Sequence, residues 1–252
     1  MTAPDILSVQ DLHLGYGRTV VLHGVSFDVP ARGLVAIVGP NGAGKSSTLG
    51  AIAGGVRITS GAITFEGRRI SGLSPEAIAS VGISFVPEGR HVFGSLSVEE
   101  NLRIGTFMRK DRSLVENDFE RVLDYFPRLR ERLHQAGGKL SGGEQQMLVI
   151  ARALMTRPRL MLIDEPSLGL APRIVEEVYH ILQRLRDDDG LSILVNEQSS
   201  RRVMQFSDEI IVLREGAVQL RGRPKDLLQG HALHDAYFGS GTFYRDSDRT
   251  KT

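Results

Sequence analysis

Cysteine is absent from all 252 residues, which excludes disulfides, thiolate metal sites and a cysteine nucleophile together. An excess of either charge is also lacking: 31 Lys and Arg face 30 Asp and Glu, and the formal charge is +1. With no such field and no basic stripe, nucleic acid is not an expected partner. No apolar run approaches the ~20 residues needed to cross a bilayer, and the opening MTAPDILSVQ lacks the basic and apolar regions of a secretory leader. Work at a membrane would therefore require other chains. Hydrophobic residues make up 41% of the sequence, enough for a globular core, and there is no internal repeat or low-complexity linker.

The pattern of periods predicts an α/β core. Ile6 to Gly33 reads as short alternating strands with turns at Gly15-Tyr16-Gly17 and Pro30-Ala31-Arg32-Gly33, an antiparallel opening. Leu34-Val35-Ala36-Ile37-Val38 is continuously apolar, as a strand covered on both faces is, and a helix from about Lys45 to Ala53 should follow. From Ser97 the period becomes helical. Ser97 and Glu100 form a capping box, and Val115, Phe119, Val122, Phe126 and Leu129 form an apolar stripe. The strand pattern returns at Leu160–Ile163, around Ile193–Val195 and at Ile210–Leu213, with a helix opened by Pro172. A helical subdomain of about 92–157 is thus expected inside one α/β domain of 1–239, followed by a polar tail, 240–252, expected to be disordered.

Three motifs carry chemistry. Gly39-Pro40-Asn41-Gly42-Ala43-Gly44-Lys45-Ser46 has the phosphate-loop spacing, and Ser47 follows it. Glycines let backbone N–H groups and a helix N-terminus face phosphate oxygens, Lys45 adds positive charge, and Ser46 can ligate Mg²⁺. Leu140-Ser141-Gly142-Gly143-Glu144-Gln145 opens a helix running through Met147 to Leu154. Ser141 and Glu144 can form a capping box there while the two glycines present free N–H groups to an anion. Leu160–Ile163 ends in Asp164-Glu165, two carboxylates placed as a metal ligand and an adjacent base require. Alone, that last pattern is also what a solvated strand end looks like.

The second motif resembles the signature of ABC ATPases letter for letter, and the resemblance runs from Leu7 to about Gly239. It implies a P-loop NTPase (RecA-like) core with an antiparallel β subdomain and an inserted α-helical subdomain, binding ATP and Mg²⁺ and hydrolysing ATP. It further implies adenine stacking by Tyr16, Mg²⁺ ligation by Ser46, Asp164 and Glu88, and catalysis by Glu165, Lys45, Gln198 and Glu88. Glu88 stands where most relatives carry glutamine, and Gln198 where most carry a γ-phosphate-facing histidine. An ionised glutamate accepts but does not donate, whereas an amide donates without a titratable charge. Ser167-Leu168-Gly169-Leu170 occupies the loop that communicates between two ATP sites, with Leu170 in place of the usual aspartate.

Val86-Pro87-Glu88-Gly89-Arg90-His91-Val92-Phe93, Glu99-Glu100-Asn101-Leu102 and Pro166–Pro172 are similar to the second ATPase of branched-chain amino acid importers. That similarity implies two subunits sandwiching two ATP molecules, with Ser141, Gly142, Gly143 and Glu144 reaching the partner's nucleotide. A different ATPase is the expected partner, a homodimer the alternative. Two transmembrane permeases, touched through the segment holding Arg90 and Phe93, and an extracytoplasmic solute-binding protein complete the assembly on the inner face of the membrane. The cargo follows by analogy only: urea, short amides and other amino acids are alternatives, as is a non-transport ATPase of the same superfamily.

Overall fold

The computed structural model describes residues 4–227 and Ala236; the polar tail, 240–252, lies outside them. The chain opens with two long antiparallel strands, β1 (Asp5–Tyr16) and β2 (Thr19–Pro30). The sequence suggested shorter strands because Gly15 looks like turn material. Instead Gly15 pairs with Val20 at a register shift, and the chain reverses at Gly17-Arg18. After β3 (Leu34–Val38) and α1 (Lys45–Ile52) come β4 (Ser60–Phe65), β5 (Arg68–Arg69), α2 (Pro75–Ser80) and β6 (Ile83–Val86). The order β2-β1-β4-β5 makes a four-stranded antiparallel sheet.

Between β6 and β7 (Leu160–Asp164) lie α3 (Val98–Ile104), α4 (Val115–Tyr125), α5 (Pro127–Arg130) and α6 (Gly142–Leu154). The predicted apolar stripe is buried throughout. It spans two helices rather than one, because Phe126 leaves helical geometry (φ −124°, ψ 67°) before Pro127. Both predicted capping boxes form, Ser97 with Glu100 and Ser141 with Glu144. The chain continues through α7 (Pro172–Asp189), β8 (Ser192–Glu197), α8 (Ser200–Val203), β9 (Glu209–Arg214), β10 (Ala217–Gly222) and α9 (Pro224–Leu227). Pro172 opens α7, and Gly190, in the left-handed region, closes it.

The second sheet runs β10-β9-β3-β8-β7-β6, with only β10 antiparallel to its neighbour. It is covered on both faces, which explains the continuous apolar strands. Leu34, Ala36 and Val38 face one core with the inserted helices, while Val35 and Ile37 face the other with the antiparallel sheet. The insertion and the strands beneath it therefore share a single apolar core. In the registers Val38↔Glu197, Asp164↔Asn196 and Val86↔Ile163, the parallel strands end at one level. Sheet edges of this kind are where open α/β folds hold ligands.

Candidate nucleotide site

The phosphate loop joins β3 to α1 at that edge. Gly39 permits a close approach, since a Cβ there would lie 2.0 Å from the Leu213 carbonyl oxygen of β9. Gly44 caps α1 at φ 99°, and a side chain at that position would also meet Leu22. Lys45 is 5% exposed; its Nζ donates to the carbonyls of Gly39 at 3.0 Å and Pro40 at 3.4 Å. The ammonium also lies 3.4 Å from Glu165 Oε1.

Asp164, the last residue of β7, accepts from Ser46 Oγ at 3.1 Å and from Asn196 Nδ2 at 3.1 Å, both on Oδ1. Glu165 adopts φ 48°, a left-handed conformation uncommon for a side-chain-bearing residue. Its N–H still donates to the Asn196 carbonyl at 3.1 Å, and its Oε2 accepts from the Gln198 backbone N–H at 3.3 Å. The two adjacent carboxylates thereby diverge, one toward Ser46 and the other toward Lys45.

Three successive residues, the last two of β8 and the one after it, each brace a different part of this edge. Asn196 holds Asp164 and Gln198 N–H reaches Glu165. Glu197 accepts from Ser167 N–H at 3.1 Å, Ser167 Oγ–H at 2.8 Å and Tyr179 O–H at 2.9 Å. Burial pushes the Glu197 carboxyl up; the Ser167 and Tyr179 donors oppose the rise and the nearby Glu165 charge adds to it. Tyr179, fully buried, is raised well above the ordinary phenol range by burial and then by Glu197. The sequence assigns no role to Asn196 and marks Glu197 only as half of a Glu-Gln pair; both are polar residues that end a strand with an apolar centre.

Asn41, Gly42, Gly44, Lys45, Ser46, Ser47, Glu88, Glu165 and Gln198 surround one cleft of about 400 Å³, with Val21 and Leu168 completing its walls. That volume falls in the roughly 300–1,000 Å³ range of small-molecule sites. Tyr16 stands at its edge, 54% exposed, with its hydroxyl 3.3 Å from Ser47 Oγ. Gly42, at φ 81°, has no heavy atom within 4 Å of a Cβ position, so the loop's middle faces open space where phosphate oxygens fit. The cation's donor set fits too. Ser46 and Asp164 touch each other, supplying one hydroxyl and one carboxylate, as Mg²⁺ held mainly by phosphates and water requires. Among the described residues no three His, Cys, Asp or Glu converge as an all-protein cage.

The signature residues line no part of this cleft. Ser141 caps α6, accepting from Glu144 N–H at 3.4 Å while Glu144 Oε2 accepts from Ser141 N–H at 2.9 Å. Burial alone would raise the Glu144 carboxyl, but the Ser141 hydrogen bonds, with Arg132 and Arg128 nearby, hold it below the ordinary glutamate range. Arg90 lies against Gly142, where a Cβ would come within 2.7 Å of its Nη1. Leu170 packs against the core beneath the helices.

Residues 22–168 match the family model described as ABC transporter. The chain is 41% identical over 234 residues to the high-affinity branched-chain amino acid transport ATP-binding protein BraG of Pseudomonas aeruginosa, covering 93% of this chain and 100% of that one. It is 36% identical to a probable branched-chain amino acid transport ATP-binding protein, LivF, of Archaeoglobus fulgidus, over 89% of this chain and 94% of that one. Among solved structures, the ADP conformation of an ATP-binding cassette from an ABC transporter superposes with TM-score 0.84 at 27% identity, covering 94% of this chain and all of the other.

Proposed function

The chain belongs to the ABC transporter family of ATP-binding, ATP-hydrolysing subunits, and from that premise we propose that it powers import of branched-chain amino acids. The observation carrying the catalytic part is the meeting of the phosphate loop, Glu88, Glu165 and Gln198 around one cleft, with Asp164 bound to Ser46 behind it, at the aligned ends of β3, β6, β7 and β8. The cargo rests on the names of the relatives at 41% and 36% identity.

In this reading Tyr16 stacks on adenine, and the backbone from Gly39 to Ser47 with Lys45 binds the phosphates. Ser46, Asp164 and Glu88 hold Mg²⁺, which when bound neutralises charge on the β- and γ-phosphates. Glu165 takes a proton from the attacking water, whose oxygen bonds to the γ-phosphorus as the bond to the bridging oxygen of ADP breaks. The Gln198 amide donates to the γ-phosphate, and Lys45 stabilises the spreading charge. Ser141, Gly142, Gly143 and Glu144 face the nucleotide of a second ATPase subunit.

Two permeases and an extracytoplasmic binding protein complete the complex, with this subunit peripheral on the inner face of the membrane. No described helix is long and apolar enough to cross it. Phe93, 47% exposed beneath the Arg152 guanidinium, offers an apolar contact for a permease segment. The decisive experiment is uptake of labelled leucine, isoleucine and valine in cells with and without the gene, complemented by wild type or Glu165→Gln. Restoration by wild type alone supports the reading. Unchanged uptake on deletion, with ATPase activity intact in the purified complex, would redirect the assignment to another small solute such as urea, an amide or a different amino acid.

A further inference from the structure

Glu197 is completely buried, carries no ion-pair partner among the described residues, and has no part in the chemistry assigned above. Two of its three hydrogen bonds go to one residue, Ser167, through both the backbone N–H and the hydroxyl. The third comes from Tyr179 on α7. The Ser167 hydroxyl also accepts from Arg202 Nη1 at 2.8 Å, so its proton is directed at Glu197. Ser167 in turn sits inside a tight turn: Leu168 N–H donates to the Glu165 carbonyl at 3.2 Å, and Leu170 N–H to that of Ser167 at 3.2 Å.

Glu165 therefore has its left-handed backbone pinned from two sides. Before it, β8 holds its N–H through the Asn196 carbonyl; after it, the next residue of β8 holds Ser167. A side-chain-bearing residue keeps such a conformation only where its surroundings over-determine it. We propose that Glu197 is a positioning residue which, by clamping Ser167, keeps the Glu165 backbone in its left-handed conformation and so aims the Glu165 carboxylate into the cleft. The inference rests on the reading of the cleft as an ATPase site. It adds a residue that touches neither nucleotide nor water but acts through the turn that follows the base.

The test is a steady-state ATPase and nucleotide-binding comparison of wild type, Glu165→Gln, Glu197→Ala, Ser167→Ala, Tyr179→Phe and the Glu197→Ala/Ser167→Ala double variant, each checked for folding by thermal melting. A misplaced base with an intact phosphate loop should lower kcat by roughly 100-fold in Glu197→Ala while nucleotide affinity stays at the wild-type value. Ser167→Ala, which keeps the backbone N–H bond, should lose less, and adding it to Glu197→Ala should cost nothing further, since both act through one contact. Tyr179→Phe, which leaves the Ser167 clamp in place, should retain the higher kcat. If Glu197→Ala does not fold, Ser167→Ala decides. A folded Glu197→Ala with wild-type kcat, affinity falling in step with kcat, or additive losses in the double variant would overturn the clamp. Absence of activity in wild type itself would instead overturn the ATPase reading.

Discussion

Lys45 and Glu165 stand 3.4 Å apart, both almost withdrawn from solvent, so each offsets part of the other's charge in the cleft proposed to receive the γ-phosphate. Replacing Glu165 by Gln keeps the side chain's shape but removes the carboxylate proposed above to accept the proton from water. We expect kcat to fall by about 10²–10⁴-fold with nucleotide binding retained, as measured by steady-state hydrolysis beside a fluorescent-nucleotide titration. Asn196 acts one step back, since its buried amide is a donor to Asp164 at the end of β8. On the Mg²⁺ role proposed for Asp164, Asn196→Val should raise the Mg²⁺ concentration needed for tight nucleotide binding by about 10–100-fold, the usual cost of losing a partner behind a metal ligand; calorimetric titration checks it without turnover. Glu197 gives a prediction in pH. Folding raises its carboxyl above the unfolded value, so the native form binds its proton first as pH falls. The stability of wild type relative to Glu197→Gln should therefore increase as pH is lowered from neutrality toward the ordinary glutamate range, measured by urea melts at several pH values.

At the scale of the element, α6 is defined by its first turn. Ser141 supplies the cap, Glu144 completes the box, and Gly143 is small because Ile174 of α7 lies where its Cβ would be, with Cγ2 at 2.6 Å. Ser141→Ala should cost about 1 kcal/mol of stability, the typical value of an N-cap, read from denaturant midpoints, in addition to any effect on turnover. Elements written in contiguous residues were legible beforehand. The phosphate loop, the start of α6 and the apolar strands each announce themselves through local spacing, because local backbone geometry is what they need. The hairpin of β4 and β5, the six-residue α2 and the antiparallel β10 were not foreseen, being too short or too polar to show a period. The roles of Asn196 and Glu197 were hidden for another reason: their contacts run sideways to residues about 30 positions away, and a single chain does not display strand order.

Across the whole molecule, the signature residues line no part of the cleft, as the proposed pairing of two ATPase subunits requires. On that reading Glu165→Gln, expected to keep nucleotide binding while hydrolysing far more slowly, should associate with a second ATPase subunit in the presence of ATP and separate without it, a shift visible by size-exclusion chromatography. Because the inserted helices share one core with the sheet, force on Phe93 or Arg90 should reach the strands below without first loosening an internal boundary. The ending of β8 also constrains how such a sequence can change over time. Asn196 and Glu197 serve two different neighbours through their side chains, and Gln198, just past the strand, serves a third through its backbone N–H. Loss of a single codon within this strand would advance every later residue by one place and turn each side chain to the opposite face. Substitutions can sample this tripeptide one contact at a time, but a frame-preserving deletion breaks all three together, so its descendants should vary in letters and never in length.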